Sequence, residues 1–162
     1  MNPIGTVLAV CTGSGGIPKV SVDKAQIGHL GLMGDRHTIP EHGGSDRAVC
    51  LFAKEDYARL IAAGVPADAP GTYGENLLTE GLDYKALRPG DHLLLSGGVQ
   101  LEIFDIREPC VTLQQLDPRF PDLLIGRSGF LCRVLQEGII AAGEEIRLDT
   151  SDTGRRVPLS QG

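Results

Sequence analysis

The alternation of apolar and polar positions marks a chain built mostly of short strands. Ile4 to Val10 is an apolar run with β-branched residues and reads as the first strand. Val20 and Val22 alternate with polar neighbours, which predicts a second strand ending near Ile27. Ala48 to Phe52 is continuously apolar and reads as a buried strand, and Asn76 to Thr79 as a short one. Two apolar runs, Leu93 to Ser96 and Val99 to Ile106, flank Gly97-Gly98, which is a hairpin signal. Phe130 to Leu135 and Glu145 to Leu148 are the last predicted strands.

Helical spacing is clear in one place. Lys54 to Ala63 puts Tyr57, Leu60 and Ile61 on one face, with Gly64 where a helix stops and Pro66 beyond it. A weaker helical pattern starts at Val111, runs through Leu113 and Leu116, and is stopped by Asp117-Pro118. Residues 28–47 (GHLGLMGDRHTIPEHGGSDR) have many glycines, little periodicity and three of the four histidines. A loop of that length in a compact domain is functional or disordered. The stretch TSDTGRRVPLSQG, from residue 150 on, lacks apolar periodicity. The pattern predicts a mainly β fold: an antiparallel β-barrel with a few short peripheral helices. It forms a single domain over residues 1–150, with a flexible tail over 151–162.

Composition narrows the function classes. The 22 Gly and 10 Pro suit tight turns between short strands, and the 41% hydrophobic content is enough for a core in 162 residues. Trp is absent, Tyr and Phe number 3 and 4, and the net charge is -6. A base-stacking or phosphate-tracking nucleic-acid surface is therefore not expected. No apolar run reaches the ~18 residues of a membrane span. MNPIGTVLAVC has no basic n-region, which predicts a cytoplasmic protein. The cysteines Cys11, Cys50, Cys110 and Cys132 form no CxxC pair, which argues against structural zinc. In a cytosolic chain their even number does not imply disulfides. The GxGxxG and P-loop patterns are also missing.

Among the four thiols Cys110 stands apart. It lies between a strand and a predicted helix, where unpaired N–H groups and the helix dipole favour thiolate. Arg107, three residues earlier, adds positive charge, Glu108 opposes it, and Pro109 fixes the approach of the chain. A thiolate there could ligate a soft metal, carry a persulfide sulfur or attack an electrophile. A buried unreactive thiol is the plain alternative. Cys50 and Cys132 lie within apolar strands and read as core. Cys11 reads as structural or surface.

The long loop is the second candidate. Arg36 and His37, then His42, Asp46 and Arg47, lie among glycines that let backbone N–H groups approach an anion. Asp35–Arg36 and Asp46–Arg47 could equally be surface charges that hold the loop together. Zinc held by His29, His37 and His42 is a weaker reading, because the spacing fits no familiar ligand set. Glu75 and Asn76 could bond a loop or a ligand. Arg127, flanked by Gly126 and Gly129, could meet an anion.

Read in order, GDRH (34–37), HGGSDRAV (42–49), GENL (74–77), PGDHL (89–93), REPC (107–110), GRSG (126–129) and RVLQEGIIAAGE (133–144) resemble the MOSC domain family. The family is named for the C-terminal region of molybdenum cofactor sulfurases, and the resemblance looks like that of a small bacterial stand-alone member. It covers roughly residues 4–149. Ala53, before the predicted helix, departs from the Ser cap of many relatives. The resemblance implies a β-barrel, a molybdopterin-type molybdenum cofactor, and Cys110 as molybdenum ligand or sulfur carrier. Arg36, His37, His42, Asp46, Arg47, Glu75, Asn76 and Arg127 would contact the cofactor.

Three functions are open. One is reduction of N-hydroxylated compounds with electrons from a separate electron-transfer protein. Another is a persulfide carrier fed by a separate cysteine desulfurase. The third is a non-catalytic module that binds an anionic small molecule. No PLP site is expected, because the desulfurase domain of the longer relatives has no counterpart here.

Overall fold

A computed structural model describes residues 4–13, 17–35, 44–65, 69–109, 111–124 and 129–149. The sequence-predicted site residues Cys110, Arg36, His37, His42 and Arg127, and the predicted tail, lie outside the described residues.

The order of elements is β1 (Ile4–Thr12), β2 (Val20–Val22), β3 (Lys24–Gly28), β4 (Gly31–Leu32), β5 (Val49–Ala53), α1 (Lys54–Ala62), β6 (Leu77–Glu80) and β7 (His92–Leu95). It continues through β8 (Gln100–Ile106), β9 (Phe130–Gln136), β10 (Gly138–Ala141) and β11 (Glu145–Asp149). Short 3-10 turns occupy Ser45–Arg47, Val111–Gln115 and Asp122–Leu124.

The main sheet runs β11-β7-β8-β9-β5-β6-β1, and a further β1–β11 pairing closes it into a barrel. Closure depends on β1. Ile4–Thr6 pair with β11, Thr6–Val10 with β6, and Val10–Thr12 with β2. A register shift between Val7 and Ala9 turns Leu8 outward, where it is 37% exposed.

The barrel departs from the predicted antiparallel pattern in one pair: β5 and β6 run parallel. The cause is α1, which forms the crossover that a parallel pair requires. The second predicted strand is broken at Asp23 into β2 and β3, which belong to different sheets. Among its described residues, the long predicted loop contains β4 and the Ser45–Arg47 3-10 turn. Beyond β9, across Glu137, the chain leaves the main sheet as β10, which pairs with β3; with β4 they form a separate sheet. Sequence periodicity missed β10 because it is only four residues long and exposes Ile139.

Two cores share β5. Val49 and Leu51 point into the barrel with Val7, Leu77, Leu101, Ile103 and Cys132. Phe52 points the other way, into a second core with Tyr57 and Leu60 of α1, Tyr73, Leu113, Phe120 and Leu124. All five residues of β5 are therefore buried. The second core is aromatic: the Tyr73 ring lies 5.2 Å from Phe52, 4.9 Å from Tyr57 and 5.8 Å from Phe120. Cys11 is fully buried in it, which settles the structural reading of that thiol, and Cys50 and Cys132 are buried as expected. Among the described residues no helix is long and apolar enough to cross a membrane.

Candidate functional site

Four of the sequence segments singled out above, GDRH, GENL, REPC and GRSG, are linked through hydrogen bonds of their described residues. Asp35, of the GDRH segment, is the first junction. Its carboxylate accepts from the Gly13 amide at 3.0 Å, from Lys19 Nζ at 2.6 and 2.7 Å, and from Asn76 Nδ2 at 3.0 Å. The Lys19 and Asp35 side chains are 6% and 3% exposed, so this is a buried ion pair with additional donors on the carboxylate.

Asn76, of the GENL segment, bridges two strands. Its Oδ1 accepts from the Cys50 amide at 2.9 Å, and its Nδ2 also reaches the Cys11 carbonyl at 3.3 Å. Its own amide donates to the Cys50 carbonyl and its carbonyl accepts from the Cys11 amide. One side chain thus ties β1, β5 and the Asp35 segment together.

Its neighbour Glu75 is fully buried and points the other way. The carboxylate accepts from Tyr57 Oη at 2.6 Å, from the Gly71 amide at 3.2 Å and from the Tyr73 amide at 3.2 Å. Sequence reasoning left Glu75 and Asn76 open between loop and ligand; every bond described for them goes to the protein's own strands, turn and side chains. Burial and the Glu75 charge both push the Tyr57 phenol well above its ordinary range.

Arg107, of the REPC segment, follows β8. Its Nη2 donates to the Tyr73 carbonyl at 2.6 Å. Its backbone amide donates to the Gly129 carbonyl at 2.9 Å, which joins REPC to GRSG. Burial pushes the Cys50 thiol up, and the adjacent Arg107 guanidinium opposes that rise. Gly129, at φ +90°, packs so closely on β5 that a Cβ there would overlap the Leu51 carbonyl. Gly31 is held similarly, 2.5 Å from the Ala48 carbonyl at its would-be Cβ.

The remaining predicted residues that the structure describes, Asp46 and Arg47, belong to the Ser45–Arg47 turn. Asp46 accepts from Arg133 Nε at 2.7 Å, and Arg133 Nη1 donates to Glu102 at 3.2 Å. The guanidinium of Arg133 also lies 4.7 Å above the Phe104 ring. Asp46 is therefore paired with Arg133 of β9 rather than with Arg47, its neighbour in sequence. Arg47 itself is exposed.

Sequence reasoning missed Lys19, Tyr57 and Tyr73. No local pattern marks them, because their partners lie 16, 18 and 34 residues away. Among the described residues no three His, Cys, Asp or Glu side chains gather as a metal site. His29 is exposed, and its amide donates to Glu137.

The sequence profile of the MOSC domain matches residues 38–147, more than half of the chain. A protein named "Reductase" from Gibberella moniliformis is 34% identical over 128 residues, which cover 73% of this chain and 22% of that protein. Protein YiiM of Escherichia coli is 30% identical over 141 residues, covering 82% of this chain and 62% of that one. The chain therefore spans less than two thirds of either relative. The crystal structure of YiiM from Geobacillus stearothermophilus superposes with a TM-score of 0.77 at 26% identity, covering 94% of this chain and 78% of that one.

Proposed function

The chain belongs to the MOSC domain family, and from that premise we propose that it binds a molybdopterin-type cofactor through Cys110 and reduces small N-hydroxylated compounds. The observation that supports this reading is the bonded set Asp35–Asn76–Cys50 and Arg107–Tyr73–Gly129. It draws the GDRH, GENL, REPC and GRSG segments onto one framework of buried polar groups. The relative named as a reductase favours reduction over sulfur relay.

The donor chemistry fits such a group. Cys110 offers a soft sulfur ligand suited to molybdenum. Arg36, Arg127, His37 and His42 offer the forked and single donors that a cofactor phosphate requires. Lys19 and Arg133 are already spent on carboxylates, so they add little to anion binding. When bound, the cofactor supplies the metal that exchanges electrons and an oxygen atom with the substrate.

The chain's own residues do the positioning. Arg107 fixes the strand end three residues before Cys110, through its side chain on Tyr73 and its amide on Gly129. Glu75 holds the Tyr73 turn from behind. Asp35, bound by Lys19 and Asn76, fixes the residue from which Arg36 and His37 extend. Electrons come from a separate redox protein.

The test is to purify the wild type and Cys110→Ser from a molybdate-replete host and assay molybdenum and released pterin. The reading expects both in the wild type and a loss of molybdenum in the variant. Absence of both from the wild type would refute it.

A further inference from the structure

We propose that a cleft beside α1 binds a small apolar molecule carrying a positive charge, of the aryl-alkylammonium type. The cleft has a volume of about 390 Å³ and lies between the start of α1, the 82–87 segment and the end of β8. That size is in the range of small-molecule sites, roughly 300–1,000 Å³.

Its floor is apolar and buried: Ala53, Leu82, Leu87 and Phe130. One wall is flat, because the Tyr84 ring stacks on Phe130 at 5.3 Å with 30° between the planes. The Tyr84 hydroxyl is turned to Thr79 at 2.7 Å, so the ring offers the cleft its apolar face. A flat apolar group has both a floor and a wall to pack on.

The rim carries charge of one prevailing sign. Among the described lining residues, Glu55, Asp56 and Asp83 stand there against one cation, Lys85. Glu55 spends Oε2 on the Gly81 amide at 3.0 Å, and Asp83 spends Oδ1 on the Lys85 amide at 3.0 Å. Each carboxylate is thereby held in place with its other oxygen left for a ligand, which lowers the ordering cost of binding. Asp56 is turned to Arg59 at 3.2 Å and contributes less. A helix start ordinarily attracts anions. Here Glu55 and Asp56 occupy the first turn of α1 and cancel that attraction.

The cleft adjoins the candidate site. Ile106 and Gly129 line it, and Arg107, next to Ile106, donates its amide to Gly129. Cys110 is four residues beyond Ile106, within about 14 Å even for fully extended chain. Treating the cleft as the substrate site of a reductase rests on the function proposed above; its preference for cations does not.

The experiment uses the full chain without cofactor and follows amide resonances by NMR during titration with benzylammonium and, separately, benzoate. Benzylammonium should saturate and shift Leu82, Lys85 and Gly129, while benzoate leaves them unmoved. The double variant Glu55→Gln, Asp83→Asn keeps both inward hydrogen bonds and should bind at least tenfold more weakly. Lys85→Ala should bind more tightly, and Cys110→Ser as the wild type does. Equal binding of benzoate, unchanged affinity in the double variant, or no saturation by benzylammonium would overturn the assignment. Benzylammonium binding by a wild type that acquires no molybdenum would reject the cofactor reading and leave the cleft standing.

Discussion

The phenol of Tyr57 donates a 2.6 Å hydrogen bond to the buried carboxylate of Glu75. The same carboxylate holds the Gly71 and Tyr73 amides, and the Tyr73 carbonyl holds Arg107. A helix, a turn and the strand end before Cys110 are thus connected through one acid. Tyr57→Phe removes one of three donors and should cost about 1–3 kcal/mol. Glu75→Leu strands all three and should cost about 3 kcal/mol or more. Urea unfolding measures both. A Glu75→Leu protein as stable as the wild type would show that the acid is not a structural tie.

Gly129 is a second point of dependence. Its positive φ and its contact with the Leu51 carbonyl leave no room for a side chain. Gly129→Ala should destabilise by about 3 kcal/mol, through strain and separation of β5 from the incoming chain. That corresponds to a fall in Tm of roughly 6–12 °C for a domain of this size. Gly34→Ala also alters a glycine with positive φ, but no described residue lies within 4 Å of its would-be Cβ, and its effect should be smaller. Equal losses in the two variants would contradict the packing argument.

Thiol reactivity should separate Cys110 from the other three cysteines. Burial, with the Glu75 charge, pushes Cys11 up to about 12, and burial pushes Cys50 and Cys132 up as well. At about pH 8 these thiols stay protonated and slow to alkylate. Native protein should lose one thiol rapidly to iodoacetamide, and Cys110→Ser none. Rapid labelling of Cys50 in the native protein would contradict this.

Asp117 offers a test of local electrostatics away from the site. Arg119 donates to its carboxylate through Nε, Nη2 and the backbone amide, and holds the carboxyl down at about 2. Its folded value lies below its unfolded one, so the pair stabilises the fold above about pH 4. That contribution disappears as pH falls towards 2. The pair is solvent-exposed and salt-screened, so the sign matters more than the size. Carboxyl resonances should place Asp117 near 2 in the wild type and near 3.8 in Arg119→Ala. An unchanged midpoint would rule out Arg119 as the cause.

Much of the barrel was legible because strand periodicity is local. Val49–Ala53, Gln100–Ile106 and the Gly97-Gly98 hairpin announce themselves in their own residues. The parallel β5–β6 pair was visible in principle, since strand, helix and strand occur in that order. β10 was hidden by its shortness and by the exposure of Ile139.

The site divides the same way. Arg107, Glu75 and Asn76 were legible as polar residues at turns, but their partners were not. Asp35 finds Lys19, Gly13 and Asn76 through tertiary packing that no spacing rule encodes. Ala53 does begin the helix without a side-chain cap, as its departure from Ser implied. In its place Glu55 and Asp56 answer the helix dipole, and the cleft opens beside them.

Sulfur coordination at molybdenum is the most direct readout of Cys110 as its ligand. Molybdenum-loaded wild type and Cys110→Ser would be compared by X-ray absorption at the molybdenum edge. Any molybdenum retained by the variant should carry one fewer sulfur ligand, and most of the metal should be lost. Full retention with the same sulfur count in both proteins would contradict Cys110 as the ligand.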